Sequence, residues 1–355
     1  MASLKNVFHT ENYLLENGVL LPKVQVTYHT YGKLNPKQDN CIWVCHALTG
    51  DSDVYAWWPG LFGDDQLFNP ENYFIICANV LGSPYGTTNP LSQNPETNRQ
   101  YHHDFPAFTI RDIVGLHKRL ADDLSIHKIE LLIGGSMGGY QALEWAIMEP
   151  QRFNNLALIA SSAIHSAWGV AFNASQRMAI ASDSTWTLYD DDAGINGMKV
   201  ARSVALLSYR NYRIYKKTQK EKDSNYVFPQ QAVSYQSYQG DKLALRFNAF
   251  SYWTLSRAMD SMNVGRDRGG SVNALSQVAA KTIVISMEDD VLFPRTDQEF
   301  LAAHIHNATF MEVETDYGHD GFLVETDQLS KILKDFLYAD SFKVTSLSPV
   351  DVTAS

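Results

Sequence analysis

Ile129-Glu130-Leu131-Leu132-Ile133-Gly134-Gly135-Ser136-Met137-Gly138-Gly139-Tyr140-Gln141-Ala142-Leu143-Glu144-Trp145-Ala146-Ile147-Met148 is the stretch on which the reading of this chain turns. Ile129 to Ile133 is an apolar run of strand length, and Tyr140 to Met148 reads as a helix with apolar residues on one side. Between them Ser136 sits in the pattern G-x-S-x-G. A serine so placed at a strand-to-helix junction is a nucleophile elbow. The sharp turn lifts the hydroxyl above the sheet edge, and its glycines are expected to tolerate both the backbone angles and the crowding. The helix N-terminus beneath supplies free N–H groups and positive potential where an oxyanion would form. A merely flexible Gly-Ser loop is the competing reading, and the flanking strand and helix argue against it.

Outward from this stretch the same alternation recurs. Val19 to Tyr31 alternates in strand fashion through Val24, Val26 and Tyr28, and pairs on paper with the preceding segment as an opening antiparallel hairpin. Asn40 to Cys45 is a strand signal running into His46-Ala47-Leu48-Thr49-Gly50. Tyr73 to Val80 is another, running into a loop rich in Gly, Pro and Asn from Gly82 to Pro95. Thr109 to Leu124 has helical spacing through Ile110, Ile113, Val114, Leu116, Leu120 and Leu124. Leu156 to Ala160, Lys281 to Ser286 and Ala308 to Val313 are further strands. Strands alternating with helices predict an α/β fold, a mostly parallel sheet with helices on both faces and ligand sites at the strands' carboxyl ends. From His165 to Val278 the rhythm stops, and helical spacings rich in aromatic residues take its place. The expected organisation is a core in two parts, 1–164 and 279–340, a helical lid inserted at 165–278, and a loose tail at 341–355.

Composition narrows the function classes. With 45% hydrophobic and 19% charged residues over 355 positions, the chain has the makings of a folded core rather than a disordered segment. The net charge of −10 and the lack of a basic block speak against nucleic acid and anionic membranes as partners. Met1 to Asn6 lacks the apolar region of a signal peptide, and charges interrupt every long apolar run, so a cytoplasmic protein is expected. Cys41, Cys45 and Cys77 make neither a disulfide framework nor a zinc spacing. Buried free thiols are expected, with no metal site.

A serine hydroxyl is a weak nucleophile until a base takes its proton, so Ser136 requires a histidine and an acid. With this kind of elbow the order along the chain is serine, acid, histidine, each on a loop after a later strand. Ser286 to Pro294 follows the strand at 281–286 and offers Glu288, Asp289 and Asp290. Tyr317-Gly318-His319-Asp320-Gly321-Phe322 follows the last strand and offers His319, the one histidine of eleven on that final loop. His46 ends a core strand near the elbow and is the rival, expected to shape its loop rather than to move protons. His102 and His103 are expected in a polar loop, His117 and His127 in or near a helix, and His304 and His306 on the surface. The oxyanion hole is expected from the N–H of Met137, after the nucleophile, and from that of Leu48 in the 46–50 loop.

With these residues in place the chain resembles the homoserine O-acyltransferases of the α/β-hydrolase superfamily, most closely the homoserine O-acetyltransferase type of methionine biosynthesis. The resemblance runs from about Tyr28 to Glu325. It is carried by Tyr31-Gly32-Lys33-Leu34, His46 to Ser52, Asn79-Val80-Leu81-Gly82, Gly86-Thr87-Thr88, Gly134 to Trp145, Gln239 to Lys242, Val264 to Gly270 and Gly318 to Leu323. It implies Ser136 as nucleophile, His319 as base, and Asp290, in Asp290-Val291-Leu292-Phe293-Pro294, as the acid. It implies Arg202 and Tyr209 as homoserine-binding residues, Asp320 as the acid that holds the substrate amine, acetyl-CoA as co-substrate with no resident cofactor, and a homodimer formed by the lid helices. A fork-shaped guanidinium suits a carboxylate, and a carboxylate beside the histidine suits an ammonium group. Two stretches depart from the family pattern. Gly82 to Pro90 lacks the Gly-Gly-Cys and final Gly-Pro of many members, and Asp267 stands where glycine is common. The first lies where donor or acceptor selectivity could be set, which keeps a succinyl donor as an alternative. A serine acceptor, one methylene shorter than homoserine, is another, with a simple esterase or thioesterase further off. A narrow tunnel under the lid is expected, because transfer has to outrun hydrolysis.

Overall fold

The computed structural model describes residues 3–223 and 225–338. The expected tail at 341–355 lies outside the described residues. The strands are β1 (Leu4–Leu14), β2 (Leu20–Tyr31), β3 (Cys41–Cys45), β4 (Phe74–Ala78), β5 (Ile129–Gly135), β6 (Phe153–Ile159), β7 (Lys281–Met287) and β8 (Ala308–Val313). They form one eight-stranded sheet in the order β1-β2-β4-β3-β5-β6-β7-β8. The β1–β2 and β2–β4 pairs are antiparallel and every other pair is parallel.

The alternation of side chains across the pleat sorts residues into two cores. In β3, Cys41, Trp43 and Cys45 face one core while Ile42 and Val44 face the other. In β7, Val284 lies in the first core and Ile283, Ile285 and Met287 in the second. Among the described residues twelve α-helices follow in chain order: α1 (Val54–Trp57), α2 (Ile110–Asp123), α3 (Met137–Met148), α4 (Ala167–Ala181), α5 (Ile195–Tyr209), α6 (Tyr212–Thr218), α7 (Gln231–Ala244), α8 (Ala249–Asp260), α9 (Ser271–Leu275), α10 (Arg295–His304), α11 (Gly321–Val324) and α12 (Thr326–Tyr338). Residues of α2, α3 and α10 pack into the first core, and those of α1 and α12 into the second, so both faces of the sheet are covered. α2 begins where the sequence says it should. The Thr109 hydroxyl accepts from the Asp112 N–H and the Asp112 carboxylate accepts from the Thr109 N–H, a reciprocal cap.

Between β6 and β7 the chain makes an excursion through α4 to α9 with no strand among the described residues. Its two ends are pinned together. Ile164 and Asn263 form an isolated antiparallel bridge, the His165 N–H donates to the Met262 carbonyl, and the Val264 N–H donates to the Ala163 carbonyl. An insertion whose ends meet leaves the sheet register undisturbed, which is why β6 and β7 still pair as neighbours.

Candidate active site

Ser136 stands between β5 and α3 with φ 57° and ψ −125°, a strained conformation for a residue with a side chain. The positive φ expected of the glycines falls on the serine alone; none of the four motif glycines has it. Their work is close approach. A Cβ on Gly134 would lie 2.2 Å from the Gly138 carbonyl oxygen, and one on Gly138 would lie 2.1 Å from that of Cys45. The helix starts earlier than the sequence pattern suggests, at Met137, so its first turn is glycine-rich and can press against the end of β3.

The topology brings two distant loops to the elbow. Asp290 follows β7, and His319 lies in a short 3-10 turn, Gly318–Asp320, after β8. His319 Nε2 lies 2.9 Å from Ser136 Oγ, and His319 Nδ1 lies 2.7 Å from Asp290 Oδ2. The other Asp290 oxygen accepts the N–H groups of Leu292 at 2.8 Å and Phe293 at 2.9 Å. A carboxylate so occupied accepts from Nδ1–H, which leaves Nε2 bare to accept the serine proton. All three residues are no more than 6% exposed. The imidazole stacks on Phe293, with ring centroids 5.1 Å apart and planes at 27°. Glu288 and Asp289, equal candidates by sequence position, both turn to Arg213, at 3.3 and 2.7 Å.

His46 behaves as a loop-shaping residue. Its Nδ1 lies 2.8 Å from the Ala47 carbonyl and donates to it, while its Nε2 accepts the Val80 N–H at 3.1 Å. Both nitrogens are occupied, and burial lowers its pKa. The Gly50 N–H also donates to the Ala47 carbonyl, closing a turn. Gln141, on α3, was missed by the sequence reading. Its amide donates to the carbonyls of His46 at 3.0 Å and Met137 at 3.1 Å, and its oxygen faces His117 Nε2 at 3.1 Å. The 46–50 loop is thereby tied to the helix that carries Met137. Neither the Met137 N–H nor the Leu48 N–H has an acceptor among the described residues.

The remaining expected residues gather where α5 meets His319. Tyr209 ends α5 with its ring 5.7 Å from the imidazole, and the Arg202 guanidinium lies over that same ring at 5.4 Å. Arg202 is half-buried and has no carboxylate partner among the described residues. Asp320 is already engaged: its Oδ2 accepts from Arg210 Nε at 3.0 Å, and its other oxygen is unshared. Arg210 went unnoticed in the sequence, where one arginine after a tyrosine has no distinguishing signal. Burial raises the Tyr209 pKa and keeps its phenol protonated.

His102 corrects another expectation. It is buried rather than in a polar loop, pairing with Asp191 at 2.9 Å, while His103 Nε2 lies 2.6 Å from the Trp186 carbonyl. The two histidines dock the loop before α2 onto the segment between α4 and α5.

A mostly parallel sheet carrying a strained serine elbow, with an acid and a histidine from the loops after β7 and β8, defines a class. A family model described as the alpha/beta hydrolase fold matches residues 41–326, and the chain belongs to that fold family. Two solved structures are similar over nearly their full length. The homoserine O-acetyltransferase from Bacillus anthracis has a TM-score of 0.90 at 24% identity, covering 98% of this chain and 100% of that one. Esterase E22 has a TM-score of 0.88 at 22% identity, covering 95% and 100%. Both are likenesses of fold. The homoserine O-acetyltransferase of Cyclobacterium marinum is 44% identical over 333 residues, 94% of this chain and 95% of the relative, and this chain is a member of the homoserine O-acetyltransferase family.

Proposed function

We propose that this chain is an acyltransferase that O-acetylates L-homoserine through an acyl-serine intermediate, with acetyl-CoA as donor. One observation carries the reading: an unbroken Asp290–His319–Ser136 hydrogen-bond line runs beside a guanidinium, Arg202, that has no acid partner among the described residues. A simple hydrolase has no need of a free cation there; an amino-acid acceptor has a carboxylate to place on it.

In the first half-reaction the Ser136 proton passes to His319 Nε2 as Oγ attacks the thioester carbonyl. The N–H groups of Met137 and Leu48 receive the developing oxyanion, each such donor contributing about 3–4 kcal/mol to the barrier reduction. The C–S bond breaks, and CoA leaves with the proton returned from His319. In the second half-reaction the homoserine hydroxyl gives its proton to the same nitrogen and attacks the acyl-serine. The C–O bond to Ser136 breaks, and the serine oxygen is reprotonated. Arg202 receives the substrate carboxylate, Tyr209 lines the space between it and His319, and the unshared oxygen of Asp320 receives the ammonium group. Near-complete burial of the triad supports a site in which water competes poorly with the acceptor.

Exposed apolar side chains on the lid helices support a homodimer: Trp168 and Met178 on α4, Val200 and Leu207 on α5, Val233 and Tyr238 on α7. We place the enzyme in the cytoplasm; among the described residues no helix is long and apolar enough to cross a membrane. The test is CoA release. Wild type should require homoserine for rapid turnover, and Ser136→Ala should abolish it. Paired acetyl-CoA/succinyl-CoA and homoserine/serine reactions, read by product mass, fix donor and acceptor. Turnover at the same rate without any acceptor would mark a thioesterase instead.

A further inference from the structure

The turn that carries Leu48 is held from two sides by different parts of the chain. On the core side, the Ala47 carbonyl accepts from His46 Nδ1 at 2.8 Å and from the Gly50 N–H at 2.9 Å. That carbonyl and the Leu48 N–H belong to one planar trans peptide and point in opposite directions, so fixing one aims the other. On the lid side the partner is Arg246, just past the end of α7. Its Nη1 donates to the Thr49 carbonyl at 2.7 Å and to the Tyr85 hydroxyl. Tyr85 belongs to the loop after β4, and its ring meets Phe247 edge-on with centroids 5.9 Å apart. Three segments that are remote in sequence, the 46–50 turn, the 82–90 loop and the lid, thus meet at one nitrogen. Arg246 has no carboxylate partner among the described residues. Its polar contacts among the described residues are therefore the Tyr85 hydroxyl and the Thr49 backbone oxygen.

We infer that Arg246 is a positioning residue of the oxyanion hole. It fastens the lid to the 46–50 turn, so that the Leu48 N–H takes its aim when the lid is seated. A charge-assisted bond to the carbonyl two positions beyond the donor peptide restrains the turn more firmly than solvent would. The same guanidinium ties in the 82–90 loop, the stretch that departs from the family pattern. The inference rests on Leu48 serving as an oxyanion donor.

The experiment compares wild type, Arg246→Met and Arg246→Lys in two measurements. One is steady-state kinetics with acetyl-CoA and homoserine. The other is inhibition by an alkyl trifluoromethyl ketone, which adds reversibly to an active serine and places its oxyanion in the hole. Arg246→Met should lower kcat about tenfold to a hundredfold and weaken the ketone by the same factor, a fraction of what losing a whole donor costs. Both KM values should stay within about twofold, the signature of an interaction made in the transition state alone. Arg246→Lys, which still reaches one carbonyl, should recover most of both losses. An unchanged kcat and ketone affinity in Arg246→Met would overturn the inference. So would a raised KM for acetyl-CoA at constant kcat, which would make Arg246 a donor-binding residue. Failure of the ketone to engage Ser136 in wild type would instead overturn the underlying oxyanion-hole reading.

Discussion

Asp290 divides its two oxygens between two tasks, one accepting backbone N–H groups and the other accepting from His319. Replacing it with asparagine keeps the shape but can present an N–H to His319 Nδ1, which favours the tautomer with a proton already on Nε2. Asp290→Asn should therefore lower kcat by on the order of 10⁴ with little change in KM. Single-turnover acylation, followed by CoA release, measures this directly. On the proposed reading of Asp320, Arg210 acts on the acceptor half. Without its bond to Asp320 Oδ2, the carboxylate is free to rotate away from an incoming ammonium group. Arg210→Met should raise the homoserine KM about tenfold while leaving single-turnover acylation unchanged, a split that distinguishes acceptor placement from general damage. Asp320→Asn should raise it at least as much; an unchanged KM there would remove Asp320 from the acceptor site.

The elbow works as a unit of strand, turn and helix. β5 delivers Ser136, α3 carries the Met137 N–H, and the contact of Gly138 with Cys45 sets how near the 46–50 loop comes. Gly138→Ala would put a methyl group against a backbone oxygen at 2.1 Å, where no side chain can yield. The helix and β3 have to separate, at a cost of about 1–3 kcal/mol in stability. Activity should fall further than stability, because the separation moves the Met137 N–H away from the Leu48 N–H, the two proposed oxyanion donors. Thermal unfolding alongside kcat for the variant checks both parts. At this scale the sequence was informative where a period ran long enough to read. The seven core strands read from the pattern and the hairpin partner implied for one of them all formed, because a short apolar run bounded by turn residues, or the alternation of β2, needs only local information. Gln141 and His102 were illegible for the opposite reason. Each sits in an ordinary helical or loop context, and its role depends on partners far away in the chain: His46 and His117 for Gln141, and Asp191 for His102.

Over the whole molecule, three buried histidines tie stability to acidity. Burial lowers the pKa of His46, His117 and His165, that of His117 to about 4 from an ordinary 6.5. Above that ordinary value the rings are neutral in both folded and unfolded chains and contribute no pH dependence. Below it the unfolded chain takes up protons that the fold refuses, so stability falls as the pH drops. For His117 the loss continues until the folded ring itself is protonated near pH 4. Each refusing histidine contributes about 1.4 kcal/mol of destabilisation per pH unit. Urea unfolding between about pH 7 and about pH 5 should show this slope, and His117→Gln should remove one histidine's share of it.

Local patterning determined by itself that the chain would form a mostly parallel sheet, that Ser136 would stand at its strand-to-helix elbow, and which loops would bring an acid and a histidine to it. Those features follow from hydrophobic period, glycine placement and chain order, all of which are written along the sequence. Tertiary structure alone decided that the strained backbone angle falls on Ser136 and not on its glycines, and that Arg210 holds Asp320. It also decided that Arg246 reaches from the lid to the turn carrying Leu48. Those facts depend on which surfaces meet when distant segments pack, and contact across such separations leaves no periodic trace in a single sequence.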